Sequence, residues 1–120
     1  MGKIKKMVLG MVLAVSVFGS SISLCHAASS SIDVGITATN AWGSFMYDEP
    51  GHHLKVTVYY LERNAEGKLQ MGEASAHQFG NFISVYVSRP SPSGCQYENG
   101  YATGYVDDIP RASSARVYVN

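Results

Sequence analysis

Over Leu54 to Leu61 the chain reads LKVTVYYL, with Leu54, Val56, Val58 and Tyr60 on one parity and Lys55, Thr57, Tyr59 and Leu61 on the other. Successive side chains of an extended chain point to opposite faces. A period of two, carried by β-branched and aromatic residues, therefore specifies a strand with one buried face. The same rule holds in IDVGITAT (Ile32 to Thr39), NFISVYVS (Asn81 to Ser88), YATGYV (Tyr101 to Val106) and SARVYV (Ser114 to Val119). No stretch beyond residue 27 shows a helical period of 3.6. The chain is thus expected to be all-β: a small antiparallel β-sandwich, or a partly open barrel, of six to seven strands.

Turn chemistry falls between these runs. ERNAEGKL places Asn64 and Gly67 in a hairpin loop, with Gly67 where a positive φ is needed. Asn99-Gly100, in YENGYA, is the strongest short hairpin signal and predicts a type I′ turn. Pro90 and Pro92 in SRPSPSGC cannot lie within a central strand, and DDIPRASS breaks the pattern before the last strand. Glu49-Pro50-Gly51-His52 has the composition of a type II turn.

The first 27 residues have a different character. Lys3, Lys5 and Lys6 precede an apolar run from Met7 to Phe18, and small residues close the segment at Ala27 or Ala28. This is the layout of a cleaved secretory signal peptide, and the apolar run is shorter than the ~20 residues of a stable membrane span. The expected organisation is a leader over 1–27, a disordered mature N-terminus over 28–31 and one β-sandwich domain over 32–120. The expected location is secreted and extracellular, with no membrane span in the mature form.

Without the leader, six basic residues face nine acids, a net charge of −3. The remaining cations are scattered, so the chain lacks the electrostatic footprint of a nucleic-acid partner. Cys25 departs with the leader. Cys95 is then a single free thiol, open to an intermolecular link and hence to a Cys95-linked homodimer, or else a small buried hydrophobe.

His52, His53 and His77 are the metal candidates, and imidazole is the commonest metal ligand. Strand parity sends His52 and His53 to opposite faces, so a shared metal would need the fold to bring in His77, Asp48 or Glu49. A Cys–His catalytic pair would join Cys95 to His77 or His53. The adjacent acids Asp48-Glu49 and Asp107-Asp108 fit solvated loops better than general acid–base work. No phosphate loop, nucleophile elbow or zinc-protease motif is present. The expectation is a protein without catalytic residues, bound metal or cofactor.

All eight tyrosines and Trp42 follow residue 27. Tyr59, Tyr86, Tyr101, Tyr105 and Tyr118 fall on the outer parity of their strands, among Thr57, Ser84, Thr103 and Arg116. Together with Trp42 they form the candidate binding surface, since tyrosine offers large contact area at small entropic cost. The structural alternative is that the same residues form cross-strand pairs that stabilise the sheet, or pack against a second sheet.

HHLKVTVYYLERNAEGKLQ followed by FISVYVSRPSPSG resembles a group of small secreted proteins of Gram-positive bacteria. More distantly, the size, the histidine-rich strand entry and the aromatic terminal strand are similar to the lactococcin-like bacteriocins, β-sandwich toxins that act on cell-wall synthesis. That group is rich in Trp, Gly and Asn and generally lacks Cys, whereas this chain has one Trp and Cys95. The residues alone point to a secreted, non-catalytic module that binds cell-wall glycan or an extracellular protein through a tyrosine-rich sheet face. A bacteriocin-like toxin and a metal-dependent or Cys–His enzyme stand as the alternatives.

Overall fold

The computed structural model describes residues 28–119; the segment read as a leader lies outside them. Eight strands follow in order: β1 (Ser30–Ile36), β2 (Asn40–Tyr47), β3 (Leu54–Arg63), β4 (Leu69–Gln78), β5 (Ser84–Pro90), β6 (Gln96–Val106), β7 (Ile109–Ser113) and β8 (Val117–Tyr118). They form a three-stranded sheet of order β1-β2-β5 and a five-stranded sheet of order β4-β3-β6-β7, with the short β8 also paired to β6. Every pairing is antiparallel. The molecule is an all-β sandwich. Among the described residues no helix is long and apolar enough to cross a membrane.

The core lies between the sheets and is built from one parity of each strand. Ile32 and Val34 come from β1, Phe45 from β2, Leu54, Val56, Val58 and Tyr60 from β3, Val85 and Val87 from β5, and Tyr97 and Val106 from β6. Phe45 lies flat against Gly104 of the facing sheet, where a Cβ would overlap its ring. Gly43 does the same for Val58. Small residues on each sheet thus receive large ones from the other, the interdigitation on which close-packed interiors depend.

Four expectations are corrected. Asn99-Gly100 is not a turn but lies inside β6, where Asn99 pairs with Leu61 and Gly100 with Tyr60. Gly100 is required for close approach, because a Cβ would sit 2.5 Å from the Tyr59 carbonyl oxygen and 2.9 Å from Ile36 Cδ1. The tight positive-φ turn is instead Asp107-Asp108 (φ 52° and 68°), two residues that tolerate the left-handed region through short polar side chains. DDIPRASS consequently contains a strand, β7, whose Pro110 stands at the sheet edge where a missing N–H is tolerated. Finally, Ser30 and Ser31 belong to β1, paired with Tyr47 and Met46, rather than to a disordered tail; Ser30 is buried and its backbone completes the ladder.

Strands β2 and β4 had no alternation strong enough to name. The inward parity of β4 is Gly72, Ala74 and Ala76, too small to announce a buried face. The Asn64–Lys68 loop is as expected, with Gly67 at φ 83°, Asn64 N–H donating to the Lys68 carbonyl, and Gly67 N–H donating to the Asn64 carbonyl.

Candidate functional site

Cross-strand register assembles the outer face of the larger sheet. Tyr59 lies opposite Tyr101 and Glu73, Thr57 opposite Thr103 and Ser75, and Lys55 opposite Tyr105 and His77. Residues that pair across an antiparallel ladder share a face, so these side chains stand together. Tyr59 and Tyr101 stack with centroids 5.0 Å apart. The Tyr59 and Tyr105 hydroxyls meet at 2.7 Å, although their rows are separated by the Thr57–Thr103 row. The two rings therefore lean toward each other and roof that row, which is why Thr57 is only 2 % exposed on an outward parity. Beneath the roof the hydroxyls are satisfied sideways, Thr57 to Ser75 at 2.7 Å and Thr103 to Ser113 at 2.9 Å.

Cations complete the patch. Lys55 Nζ lies 4.4 Å from the centre of the Tyr105 ring, and the Arg116 guanidinium 5.0 Å from that of Tyr101, both within the range of cation–π attraction. Arg116 also donates to Asn99 Oδ1 at 2.7 Å. The bond to Tyr105, followed by burial, pushes the Tyr59 hydroxyl's pKa up, so Tyr59 is neutral at any physiological pH. Beside the stack runs an open groove of about 510 Å³, lined by Tyr59, Leu61, Met71, Glu73, Tyr101 and Arg116. Met71 is 86 % exposed.

The sandwich divides the tyrosine set that the sequence groups together. Tyr59, Tyr101 and Tyr105 share the larger sheet with Tyr118, which pairs with Asn99 in β8. Trp42 and Tyr86 sit on the outer face of the other sheet, stacked at 6.3 Å, with Trp42 lying over Gly35. A single surface carrying all six is thus corrected to two surfaces on opposite sides.

The histidines gather at one end of the sandwich. His52 Nδ1 is 2.7 Å from Asp107 Oδ2 and its Nε2 is 3.1 Å from Glu49 Oε1. Both ring nitrogens face carboxylates and only the imidazolium can donate from both, so the pKa of His52 is raised, chiefly by the Asp107 bond. Asp107 is lowered in turn, first by accepting the His53 backbone N–H at 3.0 Å and then by His52. His53 turns to the other side, as parity requires, and meets His77 with Nε2 to Nδ1 at 2.8 Å. Among the described residues no group of three or more His, Cys, Asp or Glu side chains is arranged to hold a metal.

Cys95 lies at the opposite end. Its thiol meets Glu62, which, with burial, pushes its pKa up. Glu62 is buried opposite Tyr97, and its Oε2 has no protein partner. Eight residues of β3 separate Glu62 from Leu54, next to the histidines, a span of roughly 26 Å at 3.3 Å per residue. This geometry overturns a Cys95–His53 or Cys95–His77 catalytic pair. Glu62 continues the inward parity of Leu54, Val56, Val58 and Tyr60, but its contact with Cys95 had no sequence signal, because what stands opposite it is set by a register shift that inserts Glu98 into β6.

The strand pairing defines the class: a two-sheet antiparallel β-sandwich. No family model and no curated protein matches the chain. Among solved structures it is similar to an immunoglobulin-like protein from Pseudomonas aeruginosa, 8 % identical over 74 % of this chain and 91 % of that one, with a TM-score of 0.43. It is also similar to part of a GH3 β-glucosidase from Bifidobacterium adolescentis, 12 % identical over 77 % of this chain and 17 % of that one, TM-score 0.37. Likeness at this level carries no argument about activity.

Proposed function

We propose that this chain is a secreted, non-catalytic binding module that engages cell-wall glycan or an extracellular protein through the outer face of its five-stranded sheet. The observation that carries this reading is the Tyr59–Tyr101–Tyr105 cluster beside an open groove. The rings are stacked, hydrogen-bonded and flanked by Lys55 and Arg116, so little side-chain freedom remains to be lost on binding. Such pre-ordered aromatic surface, with Arg at its rim, has the composition of binding hot spots. Secretion rests on the leader pattern, and the target class follows from where a secreted chain would act.

The test is retention of purified protein on cell-wall fragments, soluble glycans and intact cells. Tyr59, Tyr101 and Tyr105 changed together to Ser should weaken retention by about 30-fold or more, the effect of losing a hot spot. Arg116→Ala and Met71→Ala, both on exposed side chains, should weaken it without disturbing the core. Trp42→Ser with Tyr86→Ser, on the opposite sheet, should leave it unchanged. Absence of retention by the unaltered protein on all three materials would remove the reading.

A further inference from the structure

Strands β1, β5, β4 and β7 stand at the sheet edges. Edge strands are normally guarded against pairing with another chain by shortness, proline, basic side chains, bulges or burial. Strand β7 has five residues, carries Pro110 and Arg111, and shifts register against β6. Strand β5 ends in Arg89-Pro90. Strand β1 has no exposed residue. Strand β4 has none of these guards. It runs ten residues, Leu69–Gln78, without Pro, Lys or Arg, and pairs with β3 without a shift.

The hairpin fixes which backbone groups β4 leaves open. Asn64 N–H donates to the Lys68 carbonyl, so that pair is a hydrogen-bonded one, and such pairs alternate along an antiparallel ladder. Gln70, Gly72, Ala74, Ala76 and Gln78 therefore bond to β3. Leu69, Met71, Glu73, Ser75 and His77 turn their N–H and C=O groups away from it. The same alternation sends the His53 carbonyl toward β6, where it accepts from the Asp107 N–H. No described strand lies beyond β4. Leu69 and Met71 are exposed along this margin, as are Phe79, Phe82 and Ile83 in the loop that follows.

The edge is complementary to itself. Let a second copy lie antiparallel to it about a two-fold axis at Ser75. Glu73 then faces the second copy's His77, and Met71 the second copy's Phe79, each contact made twice by symmetry. Carboxylate against imidazole and thioether against aromatic ring are both favourable cross-strand pairs. His77 Nδ1 is already engaged by His53 Nε2 at 2.8 Å, which leaves its Nε2 for the carboxylate. Phe79 is held by stacking on His53 at 4.4 Å. On the inner face Ala74 meets the second copy's Ala76, at a non-hydrogen-bonded pair where side chains come closest. Neighbouring registers fit less well. An axis at Glu73 sets two carboxylates directly opposite, which is destabilising, and an axis at Ala74 leaves Glu73 facing Ser75.

We propose that β4 is a self-association edge, at which two copies of this chain pair β4 to β4 about a two-fold axis at Ser75 and join their five-stranded sheets into one. The outer faces of both copies then point the same way, so their Tyr59–Tyr101–Tyr105 clusters share one surface and present it bivalently. The dimer itself does not rest on that surface binding anything.

Sedimentation equilibrium of the purified protein from micromolar to millimolar concentration tests it, with reductant present so that Cys95 cannot link the copies. A reversible monomer–dimer equilibrium is expected. His77→Glu, which sets two carboxylates opposite each other, should weaken association by about tenfold or more. Glu73→Lys/His77→Glu, which restores opposite charges, should recover it, separating loss of pairing from loss of fold. In amide hydrogen exchange, the N–H groups of Glu73, Ser75 and His77 should be protected at high concentration and exchange freely on dilution, while those of Gly72, Ala74 and Ala76 stay protected at both. A monomer at every concentration would overturn the dimer. So would association undiminished in His77→Glu, which would place the contact on another surface. Protection of Ser75 that ignores concentration would also overturn it, by showing the edge covered from within its own chain.

Discussion

Single residues in this chain carry information that depends on their neighbours across the sheet. Gly100 is the clearest instance. In sequence it completes an Asn-Gly hairpin signal, yet it lies within β6 and is not among the glycines at positive φ, which are Gly51, Gly67, Gly80 and Gly94. Its role is to let β6 pass close to Tyr59 and Ile36. Gly100→Ala should therefore destabilise the fold by about 1–3 kcal/mol, as over-packing does. Equilibrium denaturation should show a lowered midpoint with an unchanged slope. If Gly100 were a turn glycine acting through φ, a D-Ala introduced by synthesis would be tolerated there; the contact with the Tyr59 carbonyl says L-Ala is opposed by backbone, not by torsion. Tyr59 and Tyr105 teach the same lesson: their outward direction is legible from parity, but their meeting over Thr57 is not, because nothing in either strand states which row of β3 faces which row of β6.

At the scale of elements, the Glu49–His52–Asp107 clamp ties the β2–β3 loop to the β6–β7 turn, and its charges give it a pH window. The folded pKa of His52 is raised, so its stabilisation is complete below the unfolded value of about 6.5 and is lost as pH rises through the folded value. The folded pKa of Asp107 is lowered, so its share is complete above about 3.9 and is lost as pH falls through the folded value. The clamp is strongest between those limits. The stability difference between the parent and His52→Gln should be larger at pH 5.5 than at pH 9, measured by urea denaturation at both. An equal difference at the two pH values would show that His52 acts by packing against Tyr47 and not by charge. The sequence placed Glu49 and His52 in one turn, but it could not place Asp107, 55 residues away from His52. That partner arrives through the β3–β6 register, which pairs Leu54 with Val106.

For the whole molecule, the decisive feature is the interlock of two unequal sheets. Phe45 of the smaller sheet fills the space over Gly104 of the larger, and Ile32, Val56 and Val106 of the same core cluster are almost fully enclosed. Phe45→Ala should cost about 3–5 kcal/mol, read as a lowered midpoint in guanidinium denaturation. With Cys95 the only free cysteine among the described residues, the fold draws its stability from this core, so such a loss should be felt at once in the yield of folded protein.

The period-two alternation determined the all-β class by itself, along with the core parity of β3, β5 and β6 and the outward direction of Tyr59, Tyr86, Tyr101 and Tyr105. These follow from covalent geometry: neighbouring side chains of an extended chain diverge whatever surrounds them. Only the tertiary structure decided which strands pair, that Asn99-Gly100 runs through β6, that Trp42 and Tyr86 stand apart from Tyr59, Tyr101 and Tyr105, and that His77 reaches His53 while Cys95 does not. Each of these depends on register and on the placement of bulges. Register is set by the fit of many side chains across two sheets at once, a collective property that no local stretch of the chain contains.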